Sequence, residues 1–123
     1  MDTLVLAAGS ATITAVVADS FLTRGRGLLA RPRLEAGQGL LIRPCNSVHT
    51  CFMRQPLDLV GLSRADEGMA EVTWLAQHVR PWRFRWASRR TRDILELPAG
   101  EIARSRLMLG DRLRIDRPPE AEA

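Results

Sequence analysis

Residues 39–62 read GLLIRPCNSVHTCFMRQPLDLVGL, and this stretch decides which fold class the sequence favours. It contains three apolar runs of strand length, at residues 39–42, 47–53 and 57–62. The segment Arg54-Gln55-Pro56 separates the second run from the third, and proline interrupts sheet pairing. The stretch therefore predicts three short β-strands in succession, with no helix between them.

Strand signals continue on both sides of this stretch. Before it, residues 3–8 and 11–18 flank Gly9-Ser10, with alternating threonines in the second run, which predicts a β-hairpin. After it, RADEG at residues 64–68 predicts a turn. Three further strands are predicted: residues 71–79 with Val72, Trp74 and Ala76 on one face, residues 94–97, and a last strand in which Leu113 and Ile115 alternate with arginines.

Two short segments favour helix instead. Asp19 or Ser20 is suited to cap a helix over residues 21–30. Pro98 is expected in the first turn of a second helix, where proline is tolerated. The helices do not alternate with the eight or nine predicted strands, so a βαβ architecture is disfavoured. The sequence predicts a mainly β protein, an antiparallel sandwich or barrel with one or two short helices. The apolar stripe expected for the second helix is Ala99, Ile102, Ala103 and Leu107.

The chain of 123 residues has the length of one domain. Residues 1–116 are expected to form a single β-rich domain and residues 117–123 a disordered tail, because Pro118-Pro119 ends regular structure. The first ten residues contain no basic segment, and no apolar run approaches the ~18 residues of a spanning helix. The expected location is therefore the cytoplasm, unless a leader has been removed from a mature domain.

The positive charge of the chain invites a nucleic-acid interpretation. The net charge is +4 and the isoelectric point is about 10.8, as in many nucleic-acid-binding domains. However, all 18 basic residues are arginine. Surface positions that do not need the guanidinium fork would ordinarily include some lysine. This uniformity indicates a compositional bias, so the charge alone does not favour nucleic-acid binding.

Three segments in this order and spacing resemble the domain of unknown function 192 family, whose members are bacterial and archaeal. They are residues 39–62, PWR at residues 81–83, and ILELPAG followed by LGDRL within residues 94–113. The specific part is HTxxMRxPLD combined with LELPAG and GD. The resemblance covers residues 25–115 and implies a jelly-roll β-sandwich with a small helical part. It implies no activity, because the family has none established, and many of its members carry an export or lipoprotein signal.

The segment HTCFMRQPLD at residues 49–58 holds the candidate site. His49, Met53, Arg54 and Asp58 fit the family pattern, and Trp82 comes from PWR. One interpretation is an ion pair between Arg54 and Asp58 that fixes the proline turn. The other is a pocket in which His49 and Arg54 hold an anionic small molecule or a peptide carboxylate.

Cys45, His49 and Cys51 form a second candidate group, with the spacing C-x3-H-x-C. Thiolate and imidazole are zinc ligands, but a structural site needs four and no diagnostic spacing supplies the rest. A Cys/His nucleophile would need a third, orienting residue. A Cys45–Cys51 disulfide requires the chain to bend near Asn46-Ser47, since extended geometry holds the two Cα atoms too far apart. No metal or cofactor is predicted, and whether the protein is an enzyme stays open.

The stretch RPWRFRWASRRTR at residues 80–92 alternates aromatic and arginine side chains. Strict alternation places Trp82, Phe84 and Trp86 on one strand face and Arg83 and Arg85 on the other. The expectation is that the aromatic rings are core and the arginines solvated, at a sheet edge set by Pro81.

These observations favour a small domain that binds a small ligand or a protein partner near residues 49–58. The first alternative is a nucleic-acid-binding domain that uses residues 80–92, because stacking platforms combine aromatic rings with cations. The second alternative is a Cys/His metal or redox site.

Overall fold

The computed structural model describes residues 3–8, 11–19, 33–50 and 54–116, which form nine strands and one helix. In chain order these are β1 (Thr3–Ala8), β2 (Ala11–Asp19), β3 (Gln38–Arg43), β4 (Ser47–His49), β5 (Leu57–Leu62), β6 (Met69–Val79), β7 (Phe84–Trp86), β8 (Asp93–Pro98), α1 (Glu101–Ser105) and β9 (Arg112–Asp116).

Seven of these strands close into a barrel in the order β1-β2-β3-β8-β5-β6-β9, and β9 pairs back onto β1. Each barrel pair is antiparallel except β2 with β3, which is parallel. The strands β4 and β7 form a separate two-stranded antiparallel sheet. The predicted mainly β fold is confirmed, and of the two predicted architectures the protein has the barrel.

The predicted N-terminal hairpin is confirmed. β1 and β2 pair in register from Thr3 opposite Val16 to Ala8 opposite Ala11. Ile13 is buried while the threonines beside it are exposed, so the alternation in the sequence separates the barrel interior from solvent. The predicted strands at residues 39–42, 57–62, 94–97 and 112–116 are likewise present.

Two apolar layers surround the central strands. Val60 and Leu62 of β5 pack inside the barrel, whereas Leu57 and Leu59 pack in an outer layer on the opposite face. The sheet of β4 and β7 contributes Val48 to that outer layer. A strand that is covered on both faces reads as a continuous apolar run, which explains why all six residues of β5 are buried.

The prediction that Val72, Trp74 and Ala76 share one face of β6 is wrong. The register shifts between Gly61 opposite Trp74 and Leu62 opposite Val72, so one extra residue enters β6. A β-bulge of this kind reverses the side to which the following residues point. Val72 consequently packs inside the barrel, and Trp74 and Ala76 pack in the outer layer.

The second predicted helix is shorter than expected. Pro98 ends β8 opposite Leu57 and does not begin the helix. Ile102 and Leu107 are buried in the barrel core as predicted, but Ala103 is exposed. The predicted helix at residues 21–30 and the predicted tail at residues 117–123 lie outside the described residues. Within the ranges given above, no helix has the length and apolar character to cross a bilayer.

Gly61 lies where β5 meets the bulge of β6, and space there is restricted. A Cβ at this position would lie 2.7 Å from Thr91 Oγ1 and 2.9 Å from Trp74 Cβ. The Thr91 hydroxyl is itself fixed by hydrogen bonds to Thr73 Oγ1 (2.7 Å) and Ser88 Oγ (3.2 Å). A side chain at position 61 therefore has no room without displacing these groups.

We expect Gly61→Ala to lower the free energy of unfolding by about 1–3 kcal/mol, the usual range for overpacking. Because Thr91 supplies two of the three closest atoms, the cost should be smaller in a Thr91→Ala background. Urea denaturation of the four proteins of this double-mutant cycle measures both effects. Equal costs in the two backgrounds would show that Thr91 does not restrict this position.

Candidate functional site

The carboxylate of Asp58 is fully buried and accepts three backbone hydrogen bonds. Oδ1 accepts the N–H of His78 at 2.9 Å, and Oδ2 accepts the N–H groups of Gly100 at 3.0 Å and Ile102 at 2.9 Å. His78 lies at a second register shift of β6 and has a φ of 52°. Gly100 precedes α1 with a φ of 99°, a conformation that glycine adopts most readily. Asp58 therefore joins β5, the bulge in β6 and the start of α1.

This geometry overturns the ion pair predicted between Arg54 and Asp58. Arg54 is exposed, and the ion pairs found in the described part of the chain do not include it. Asp58 has no exposed surface, and its carboxylate accepts hydrogen bonds from the backbone N–H groups of His78, Gly100 and Ile102.

Thr50 connects the end of β4 to the segment PWR. Its N–H donates to Arg83 O at 2.8 Å, and its carbonyl accepts the N–H of Trp82 at 3.1 Å. Its hydroxyl donates to Arg80 O at 2.6 Å and accepts the N–H of Arg83 at 2.9 Å. The sequence analysis missed Thr50. One feature of the sequence could have indicated its role. HT at residues 49–50 and PWR at residues 81–83 both belong to the segments that resemble the family, so a contact between them could have been expected.

The stretch at residues 80–92 departs most from expectation. The exposed fractions are 57% for Trp82, 57% for Phe84 and 73% for Trp86, so the prediction that these rings are core is wrong. The alternation itself is present, since Phe84 and Trp86 stack with ring centroids 6.3 Å apart and planes 20° apart. Their face of the sheet points away from the barrel, because Val48 on the opposite face packs into the outer layer.

His49 is half-buried and adjoins the same surface. It lies opposite Phe84 in the pairing of β4 with β7, and the two rings are 5.8 Å apart with planes tilted by 52°. We call His49, Phe84 and Trp86 the aromatic face. Trp82 lies in the turn that leads into β7 and has a φ of 66°.

Arginines surround the aromatic face in sequence. Residues 80–92 contain six arginines and no acidic residue. The Arg85 Nη1 group donates to the carbonyl of Phe84 at 2.8 Å, and Arg90 is bound to Glu71 at 3.0 Å. The remaining four arginines are exposed: Arg80 and Arg83 precede β7 in the chain, and Arg89 and Arg92 follow it. Arg83 Nη1 donates to the carbonyls of Pro81 and Trp82 at 3.4 Å, and the charge of Arg92 acts on Asp93.

The remaining candidate residues are Cys45, Cys51 and Met53. Met53 and Cys51 lie outside the described residues. Cys45 donates its thiol to Ser47 O at 2.9 Å and lines a cavity of about 220 Å³ to which neither His49 nor Arg54 contributes. That volume is below the usual range for small-molecule pockets. Within the described ranges, no three His, Cys, Asp or Glu side chains are grouped to hold a metal ion.

The profile of the domain of unknown function 192 family, described as "Uncharacterized ACR", matches residues 4–115. The chain belongs to this family. The match confirms the resemblance seen in the sequence, and in this family member Thr50 and Asp58 bring the separated family segments into contact.

Two archaeal relatives carry names that state no activity. The UPF0127 protein PF1050 of Pyrococcus furiosus is 37% identical over 103 residues, which cover 81% of this chain and 84% of that protein. A UPF0127 protein of Thermococcus sibiricus is 31% identical over 101 residues, covering 79% of this chain and 62% of the relative. The chain therefore spans less than two thirds of the second relative.

Two crystal structures share the fold. A "putative transcription regulator" (R01717) of Sinorhizobium meliloti 1021 has a TM-score of 0.72 and 22% identity, with 92% of each chain covered. A protein of unknown function from Novosphingobium aromaticivorans has a TM-score of 0.70 and 18% identity, covering 91% of this chain and 83% of that one. At these identities the likeness shows the fold alone.

The effect of Asp58 on stability can be measured directly. Asp58→Asn keeps the side-chain volume but replaces one acceptor with an NH₂ donor, so at least one buried N–H group loses its partner. We expect the free energy of unfolding to fall by about 3 kcal/mol. The matched control is Asp66→Asn, an exposed residue, which should change stability by less than about 0.5 kcal/mol. Equal effects in urea denaturation would contradict the structural role of Asp58.

The electrostatics of Asp93 give a pH-dependent prediction. Burial raises the pKa of Asp93 above its usual 3.8, and the nearby Arg43 and Arg92 offset only part of this increase. Arg43 Nε lies 3.6 Å from the carboxylate. Since the folded state binds this proton more readily than the unfolded state, the contribution of Asp93 to stability is largest at low pH and is lost as the pH rises through the folded pKa.

We therefore expect the unfolding free energy of the wild type, relative to Asp93→Asn, to increase as the pH is lowered from about 7 towards about 4. Urea denaturation of both proteins at several pH values measures this difference. A difference that stays constant or decreases on acidification would contradict a raised pKa.

Proposed function

We propose that this protein is a binding domain and that its binding surface is the aromatic face, with Trp82 beside it. The observation that carries the proposal is the exposure of three large aromatic side chains within five residues, two of them stacked on one strand face. Exposed apolar surface of this kind marks interaction sites more often than chance. Buried aromatic side chains also supply much of the binding energy at interfaces.

The backbone around Trp82 supports the same proposal. A non-glycine residue in the left-handed region costs roughly 1 kcal/mol, and such strain is concentrated at functional sites. Trp82 has this conformation with a φ of 66°, yet its side chain remains 57% exposed. The contacts of Thr50 hold the backbone of this turn in place.

The proposal keeps part of the site expected from sequence and changes the rest. His49 and Trp82 remain as surface residues that a partner would contact. Asp58 is moved to a supporting role, because its carboxylate is enclosed by backbone N–H groups. Arg54 is exposed and stays a candidate contact, while Met53 lies outside the described residues. A ligand recognised by stacking fits an open face better than it fits a closed pocket.

The proposal is tested by calorimetric titration with five probes of different chemistry: a single-stranded oligonucleotide, a polyglutamate peptide, a proline-rich peptide, cellohexaose and phosphatidylglycerol vesicles. We expect at least one probe to bind, and the Phe84→Ser/Trp86→Ser variant to lose that binding while keeping its melting temperature. The matched control is Met108→Ser/Leu109→Ser, since these side chains are 66% and 65% exposed elsewhere on the surface. Binding to none of the probes, or binding that both variants retain equally, would overturn the proposal.

A further inference from the structure

We infer that the partner of the aromatic face is a single-stranded nucleic acid, with bases stacked on Phe84 and Trp86 and phosphates held by the arginines at both ends of β7. This inference rests on the proposed function, since it identifies the partner of the same surface.

The arrangement of the rings suits successive unpaired bases. Phe84 and Trp86 are two residues apart on one strand, with centroids 6.3 Å apart and planes within 20° of parallel. Single-strand binders place aromatic side chains in this way, and successive bases stack on them. In a duplex the base faces are covered by neighbouring base pairs, so a stacking surface selects unpaired nucleotides. His49, tilted by 52° against Phe84, extends the platform onto β4.

The charge of the surrounding segment matches a polyanion. Arg80 and Arg83 precede β7, Arg89 and Arg92 follow it, and all four are exposed. Alternation along a strand places arginines and aromatic rings on opposite faces. This holds for Arg85, whose guanidinium donates to the carbonyl of Phe84. The other exposed arginines lie beyond the ends of the strand, so alternation within β7 does not remove them from its surface.

Of an acidic peptide, a neutral sugar polymer, an anionic bilayer and a single-stranded nucleic acid, only the nucleic acid uses both features. An acidic peptide would pair with arginines but offers no regular series of flat rings, and a neutral sugar polymer would stack on the rings without using the charge. An anionic bilayer presents charge over a broad plane, with no groups to stack on parallel rings. A single-stranded nucleic acid carries a phosphate and a flat aromatic base at every nucleotide.

The surface is held in place before any partner arrives. Thr50 bonds to the backbone of Arg80, Trp82 and Arg83 at one end of β7. At the other end, the N–H of Ala87 donates to Asn46 O at 2.8 Å. A platform ordered in this way avoids the entropic cost of arranging the rings on binding.

The test is fluorescence anisotropy with labelled random-sequence DNA and RNA single strands of about 15 nucleotides, within the range that one small domain occupies. A duplex of the same sequence is the comparison. We expect the single strand to bind at least about tenfold more tightly than the duplex. Affinity should fall between about 50 and 200 mM salt, with a slope of roughly −0.7 for each phosphate neutralised.

Two pairs of variants separate stacking from charge. Phe84→Ser/Trp86→Ser should weaken single-strand binding by about tenfold or more at both salt concentrations, whereas Met108→Ser/Leu109→Ser should not. Arg80→Gln/Arg89→Gln should reduce the salt slope by about 1.4. Its control, Arg64→Gln/Arg112→Gln, removes the same charge from exposed positions outside residues 80–92 and should leave the slope unchanged. Melting temperatures confirm that each variant is folded.

The outcomes distinguish this inference from the proposed function. Equal binding of duplex and single strand, equal effects of the two arginine variants, or binding that survives loss of the rings would overturn the inference. If another probe class then binds through Phe84 and Trp86, the proposed function stands without a nucleic acid. If no probe depends on the rings, both fail.

Discussion

The carboxylate of Asp58 accepts N–H groups from the bulge of β6 and from the start of α1 without exposing any surface to water. Each hydrogen bond to a charged group contributes on the order of 1.5–3 kcal/mol, and a buried carboxylate without such partners would be strongly destabilising. This one group links β5 to the bulge of β6, to the start of α1 and to the left-handed turn at Gly100. The carboxylate of Asp58 therefore connects three elements of the fold through backbone hydrogen bonds.

Thr50 has the corresponding role outside the barrel. Its hydroxyl and backbone fix the turn from Arg80 to Arg83 against the end of β4. Together with Asp58 it brings the segments HT, PLD, PWR and LPAG of this chain into contact. Segments that are distant in the chain meet through buried polar groups that need specific partners. Thr50 thereby supports the turn that leads into β7, where Phe84 and Trp86 are exposed.

The aromatic face shows which step of the sequence argument failed. The alternation of Trp82, Phe84 and Trp86 with arginines correctly predicted that Phe84 and Trp86 share one side of a strand. It did not predict which side is covered, because the period of two is the same whichever face meets the core. β4 and β7 pack against the barrel through Val48, and this contact leaves the rings in solvent. Of the residues in the Cys/His hypothesis, Cys45 and His49 are described and Cys51 lies outside the described ranges.

The sequence by itself determined the strand content, the N-terminal hairpin and the family. Strands and turns depend on the periodicity and the turn residues of neighbouring positions in the chain, which can be read directly from the sequence. The described structure keeps nearly every predicted strand, including β5 and β8. Only the tertiary structure decided that the sheet closes into a barrel, that bulges shift Trp74 to the outer layer, and that Asp58 binds backbone and not Arg54. Those outcomes depend on contacts between residues such as Asp58 and Ile102, which are 44 positions apart. The local pattern determines which residues of a strand lie on the same face. Long-range packing determines whether that face is buried in the core or exposed to water.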